Sequence, residues 1–145
     1  MNLSIRHTGF VVNNINRSIE FYEALGLEVW KREIENGSFI SSLVGIDGAI
    51  LETAKLECPN GSLLELIEYK SHPPITNNSK YPSNKHGCSH LAFTVENIEE
   101  CIKKIIKNGG SLVNKPVTSP DGKVKVIYCH DIDGILLELV EELTD

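Results

Sequence analysis

Two histidines and two glutamates recur in this 145-residue chain in matched surroundings. His7 opens the segment His7-Thr8-Gly9-Phe10-Val11-Val12-Asn13-Asn14-Ile15. His90 opens His90-Leu91-Ala92-Phe93-Thr94-Val95-Glu96-Asn97-Ile98, and both read H-x-x-F-x-V-x-N-I, 83 positions apart. Glu65 lies in Gly61-Ser62-Leu63-Leu64-Glu65-Leu66-Ile67-Glu68. Glu138 lies in Gly134-Ile135-Leu136-Leu137-Glu138-Leu139-Val140-Glu141, 73 positions further on. Two matches in the same order in each half point to an internal duplication. The first half carries the extra residues, and the Ser38-to-Ile50 region is where they fall.

An acidic residue within an apolar strand is costly unless it is exposed, paired or bound to a cation. Two such glutamates, each matched with a repeated histidine, imply that all four side chains converge. Two neutral imidazoles and two carboxylates suit a divalent ion that accepts nitrogen and oxygen donors: zinc, nickel, cobalt, manganese or iron(II). The carboxylates offset the ion's charge and leave a site for a neutral or weakly anionic chelating substrate. Taken singly, none of the four would carry this reading. A histidine at the start of a strand is ordinarily a polar residue near an end, and a glutamate in an antiparallel strand ordinarily faces water. The repetition is what favours a metal site.

The elements that must position these residues follow from periodicity. Residues 4–12 alternate and read as a strand. Asn14 is an N-cap, and Ile15, Ile19, Tyr22 and Leu25 recur at helical spacing until Gly26. Asn97 caps a second helix with the stripe Ile98, Cys101, Ile102, Ile105 and Ile106, stopped by Gly109-Gly110. Residues 27–35, 49–58, 62–69, 88–95, 111–115, 124–130 and 134–141 read as strands, so each half is βαβββ. Module 1 covers residues 1–70 and module 2 residues 86–145, within one domain. Residues 70–85, with Pro73, Pro74 and Pro82, read as the connecting loop. Alternation puts Leu91, Phe93 and Val95 on the helix-facing side and His90, Ala92 and Thr94 opposite; likewise Phe10 and Val12 against His7, Gly9 and Val11. Glu65 and Glu138 face away from their leucine neighbours.

Other candidates are weaker. His72, His86 and His130 have no counterpart in the other half and read as loop or strand-end residues. Glu68 and Glu141 repeat, but parity puts them on the helix-facing side near strand ends, where a partly solvated role is expected. Tyr128 reads as either a cavity-lining or a core residue. Cys58, Cys88, Cys101 and Cys129 form no CxxC pair, so free thiols are expected in place of a thiolate zinc site. The net charge of -6 and the lack of a basic stripe argue against nucleic acid. No stretch approaches a membrane span and the N-terminus lacks a secretory pattern, so a cytoplasmic protein is expected.

The paired histidines, the Ser18-Ile19-Glu20-Phe21-Tyr22…Leu25-Gly26 helix ending and the Asp131-Ile132-Asp133-Gly134-Ile135-Leu136-Leu137-Glu138-Leu139 strand resemble the vicinal oxygen chelate superfamily. That superfamily includes glyoxalase I, methylmalonyl-CoA epimerase, extradiol dioxygenases and drug resistance proteins. The resemblance runs nearly end to end. It implies an α+β fold of two tandem βαβββ modules, a cupped mixed sheet around one metal, and a homodimer. It places the ligands on His7, Glu65, His90 and Glu138, a set similar to that of bacterial glyoxalase I. It implies a lyase or isomerase acting on a small molecule with vicinal oxygens, by proton abstraction and a metal-held enediolate. Glu138 is then the base and Glu65 its counterpart. Val11 stands where glyoxalase I has an arginine for glutathione, and Tyr69 where it has an asparagine, which weighs against glutathione. The alternatives are a methylmalonyl-CoA epimerase-like enzyme, an iron(II) extradiol dioxygenase using His7, His90 and Glu138, and a non-catalytic drug-binding protein.

Overall fold

The computed structural model describes residues 1–75 and 80–143. The chain divides into two compact units, Met1–Thr76 and Asn77–Asp145. In the first, strand β1 (Thr8–Val11) leads to helix α1 (Ile15–Ala24). Strand β2 (Glu28–Glu35), helix α2 (Ser38–Val44), strand β3 (Leu51–Glu57) and strand β4 (Leu63–Tyr69) follow. The sheet order is β1-β4-β3-β2, with β1 parallel to β4 and the other pairs antiparallel.

The second unit repeats the plan. Strand β5 (Leu91–Thr94) is followed by helix α3 (Ile98–Lys107), two short strands, β6 (Ser111–Leu112) and β7 (Val117–Thr118), then β8 (Val124–His130) and β9 (Leu136–Glu142). Its order is β5-β9-β8-β6, with β7 also on β8. Both units are mixed α+β. Among the described residues no helix is long and apolar enough to cross a membrane.

Local chemistry explains the helices. Asn14 Oδ1 accepts the Arg17 amide at 3.2 Å, and Asn97 Oδ1 accepts the Glu100 amide at 3.0 Å, so each helix begins at the expected cap. Ile15, Ile19, Phe21 and Tyr22 bury one face of α1. Ile98, Ile102 and Ile105 bury that of α3, with Glu99 and Glu100 in its first turn and Lys104 and Lys107 in its last, the arrangement that suits the helix dipole. Cys101 is half-buried, whereas Ile106, expected on the same stripe, is exposed. Gly26 turns the chain out of α1 at φ 102°, a left-handed conformation that side chains resist.

Three expectations are corrected. The extra residues of the first half fall in the Ser38-to-Ile50 region as expected, but they form helix α2, whose Ile40 packs with Ala49 and Leu51, so the first half is βαβαββ and not βαβββ; the 3.6-residue pattern there is too short to stand out. The strand expected over 111–115 stops at Leu112, because Asn114 folds back on the Lys115 amide and Pro116 offers no amide hydrogen. Strands β1 and β5 are shorter than expected. His7 and His90 therefore each sit one residue ahead of the first strand of their unit.

Candidate metal centre

In each unit the parallel pairing of the first strand, at the sheet edge, with the last strand brings one histidine to one glutamate. Pairing of β1 with β4 sets Gly9 opposite Glu65, and pairing of β5 with β9 sets Ala92 opposite Glu138. These are the same register in both units, so the sequence repeat is also a repeat in hydrogen bonding. Leu64 and Leu66 are buried on one side of β4, and Leu137 and Leu139 on one side of β9. Alternation then sends Glu65 and Glu138 to the other side, where both are half-buried. On the first strands Phe10 and Val12 are buried while Gly9 and Val11 are exposed, and Ala92 and Thr94 are exposed, as parity requires.

His7 Nε2 lies 3.7 Å from Glu65 Oε1, and His90 Nε2 lies 2.9 Å from Glu138 Oε1. The small residues Gly9 and Ala92 open the space beside each carboxylate; a Cβ on Gly9 would stand 4.0 Å from Glu65 Oε1. Each unit thus presents one imidazole nitrogen and one carboxylate oxygen, the donor chemistry that a borderline divalent ion accepts. Among the described residues no group of three or more His, Cys, Asp or Glu side chains is gathered so as to hold a metal ion. What the structure brings together is two pairs, His7 with Glu65 and His90 with Glu138.

The surroundings of the pairs differ. The His90 ring lies 4.9 Å from the Tyr128 ring, and Tyr128 is the cross-strand partner of Glu138 on β8. Its counterpart opposite Glu65 is Lys55. His90 Nδ1 lies 3.0 Å from Ser89 Oγ, which itself donates to the Ser83 carbonyl at 2.8 Å. In the first unit the residue before the histidine is the exposed Arg6, and the buried Nδ1 of His7 has no hydrogen-bond partner among the described residues. Ser89 was legible only as a hydroxyl next to a candidate ligand, a signal too common to single it out.

The remaining candidates have other work. Glu68 Oε1 accepts the amide of Ile15 at 2.8 Å, and Glu141 Oε2 accepts that of Ile98 at 2.9 Å. Both glutamates are half-buried, as the partly solvated role expected of them allows, and in addition each caps a helix from a neighbouring strand. Lys70 bridges Glu68 and Glu52 at 2.5 and 3.2 Å, and Arg32 reaches Glu52 at 2.6 Å. Burial raises the pKa of Glu52, but the hydrogen bonds and charges of Arg32 and Lys70 prevail and hold its carboxyl below the ordinary value. His130 is buried with Nε2 2.7 Å from the Tyr81 carbonyl, while Tyr81 donates its amide to Gly134; it fastens the chain ahead of β5 to the β8–β9 turn. His72 is exposed and contacts Ser71, and His86 is exposed. All four cysteines are free thiols. Burial pushes the Cys129 thiol up to about 12 and also raises Cys101.

Known proteins are similar to this chain in sequence and fold. A lactoylglutathione lyase of Schizosaccharomyces pombe is 29% identical over 147 residues, covering 95% of this chain and 47% of the yeast protein, so the chain spans about half of that relative. A lactoylglutathione lyase of Escherichia coli O157:H7 is 28% identical over 142 residues, covering 97% and 93% of the two chains. A glyoxalase family protein from Bacillus cereus superposes with a TM-score of 0.91 at 29% identity, covering 99% and 97%. A fosfomycin resistance protein from Listeria monocytogenes, solved with Mn(II) and a dihydroxypropylphosphonic acid, shares the fold at a TM-score of 0.61 and 19% identity, covering 96% and 90%. Residues 4–139 match the family model of the Glyoxalase/Bleomycin resistance protein/Dioxygenase superfamily, from one repeat through the other. The chain belongs to that superfamily.

Proposed function

We propose that His7, Glu65, His90 and Glu138 together ligate one divalent metal ion, and that the chain is a lyase or isomerase acting on a small molecule with adjacent oxygens. The observation that carries this reading is the duplicated pair: an imidazole Nε2 directed at a carboxylate oxygen, at the same register in both units. Two carboxylates neutralise a divalent ion, which when bound would polarise the substrate oxygens and stabilise negative charge developing beside them. Glu138 removes the proton from the carbon that bears one of those oxygens, the electron pair moving into the carbonyl beside it, and returns the proton to the adjacent carbon that bears the other; Glu65 is its counterpart in the first unit. The lactoylglutathione lyase relatives support the reaction class. The substrate differs at its far end: Val11 on β1 supplies no positive charge, and Tyr69 at the end of β4 packs against the Ile40 cluster where a side-chain amide would be wanted, which weighs against an anionic glutathione. The reading carries with it a homodimer in the cytoplasm; a monomer mass by light scattering would remove the first of these.

The test is metal analysis of protein purified without chelator, followed by solvent deuterium exchange into hemithioacetals, α-hydroxycarbonyls and thioesters. About one divalent ion per chain with exchange at the acidic carbon is the expected result. A loaded protein that exchanges none of the panel defeats the proposal. Tyr128 beside His90 favours one second reading, an iron(II) dioxygenase for catechols. Oxygen uptake with catechols under iron loading would establish it, and its absence would dismiss it.

A further inference from the structure

We infer that Ser89 is a positioning residue that holds a proton on His90 Nδ1, so that Nε2 is the nitrogen left to take a cation beside Glu138. The inference rests on the metal reading above for its purpose, but the geometry stands without it. A serine hydroxyl has a single hydrogen. That hydrogen goes to the Ser83 carbonyl at 2.8 Å, since a carbonyl oxygen can only accept. Toward His90 Nδ1, 3.0 Å away, Ser89 Oγ can therefore only accept, and Nδ1 must carry a proton.

The consequence falls on the other nitrogen. In a neutral imidazole with hydrogen on Nδ1, Nε2 bears a lone pair, and it faces a carboxylate oxygen at 2.9 Å. Two acceptors at that distance need a cation between them, a proton in the metal-free protein, for which a bound metal ion would exchange. The chain from the Ser83 carbonyl through Ser89 and His90 to Glu138 thus prepares one ligand nitrogen in advance. Tyr128, with its ring 4.9 Å from that of His90, limits ring rotation that would exchange the nitrogens. The first unit has no such chain. Arg6 stands in place of the serine and His7 Nδ1 has no hydrogen-bond partner among the described residues, so nothing comparable holds a proton on that nitrogen.

The test is long-range proton–nitrogen correlation NMR of uniformly labelled, metal-free protein at a pH where the imidazoles are neutral, with titration of Zn(II) in parallel. Wild type should show His90 with hydrogen on Nδ1. Ser89→Ala should lose that tautomer as the dominant form and weaken Zn(II) binding by about 10–100-fold, the usual loss when a ligand's outer partner is removed. Ser89→Thr, which keeps the hydroxyl, should restore both, and His7 signals should change in neither variant. A Ser89→Ala protein that keeps hydrogen on Nδ1, or that changes tautomer with Zn(II) affinity unaltered, overturns the inference. Wild type with the Nδ1 tautomer and no Zn(II) binding would instead overturn the metal reading and leave the tautomer assignment in place.

Discussion

Glu141 reaches from the end of β9 to accept the amide hydrogen of Ile98 at 2.9 Å, 43 residues away in sequence, and so caps a helix that its own strand packs against. Glu68 does the same for Ile15. Each unit therefore uses one glutamate of its last strand, Glu65 or Glu138, on the open side and another, three residues on, to hold the helix on the buried side.

This division predicts a clean separation of phenotypes. Glu141→Ala should lower stability by about 1 kcal/mol, the usual loss of an N-terminal cap with a favourable dipole interaction. Glu68→Ala should lose more, because its Lys70 ion pair goes with it. Urea denaturation reads both, and metal content should be unchanged.

Glu138→Gln and Glu65→Gln should behave in the opposite way. Each keeps the shape and removes a carboxylate charge, so melting should shift little while Zn(II) affinity falls beyond the roughly 10–100-fold that an outer partner contributes. Isothermal titration with Zn(II) measures it. Full affinity in either variant would exclude that residue as a ligand.

Gly110 is held where no side chain fits. An added Cβ would stand 2.6 Å from Ile105 Cγ2 and 2.7 Å from the His130 carbonyl oxygen, and the second is backbone in a strand. Gly110→Ala should cost about 1–3 kcal/mol as overpacking. At Gly9 the nearest neighbour would be 3.6 Å away, so Gly9→Ala should fold normally. Thermal melts of the two variants side by side make the comparison.

Glu52 makes part of the stability pH-dependent. Its folded pKa lies below the ordinary 4.5, so the unfolded chain takes up the proton first as pH falls. The contribution is complete above that ordinary value and is lost as pH drops through the lowered one. Glu52→Gln should therefore flatten the acid limb of a stability–pH profile measured by urea unfolding. An unchanged limb would show that Arg32 and Lys70 do not stabilise the carboxylate.

Thiol reactivity should rank by burial. Cys88 is exposed, whereas Cys129 is buried with its thiol pushed up to about 12. Mildly alkaline iodoacetamide with mass-spectrometric mapping should label Cys88 first and Cys129 only on global unfolding.

Much of this was legible in the chain because duplication doubles each weak signal. His7 alone is a strand-end histidine; with His90 at the same place in a second H-x-x-F-x-V-x-N-I segment it becomes a candidate ligand. Strand parity correctly separated Glu65 and Glu138 from the leucines beside them. The same repeat contained the helix caps: Ile15 and Ile98 share one offset, Glu68 and Glu141 the other. Parity places a side chain on a face without saying which amide lies there, so that role was not read. Features present in only one half, such as α2, the break at Pro116 and Ser89, had no second copy to raise them above background.

Helix α2 enters between β2 and β3, and β2 is the strand farthest from β1 in its sheet. The length difference between the two halves is therefore absorbed at the sheet edge remote from β1, while the β1–β4 register that sets Gly9 opposite Glu65 matches the β5–β9 register that sets Ala92 opposite Glu138. Residues added in that connection leave the β1–β4 pairing, and with it the approach of His7 to Glu65, where it is, so this edge of the fold tolerates a change of length that the opposite edge would not.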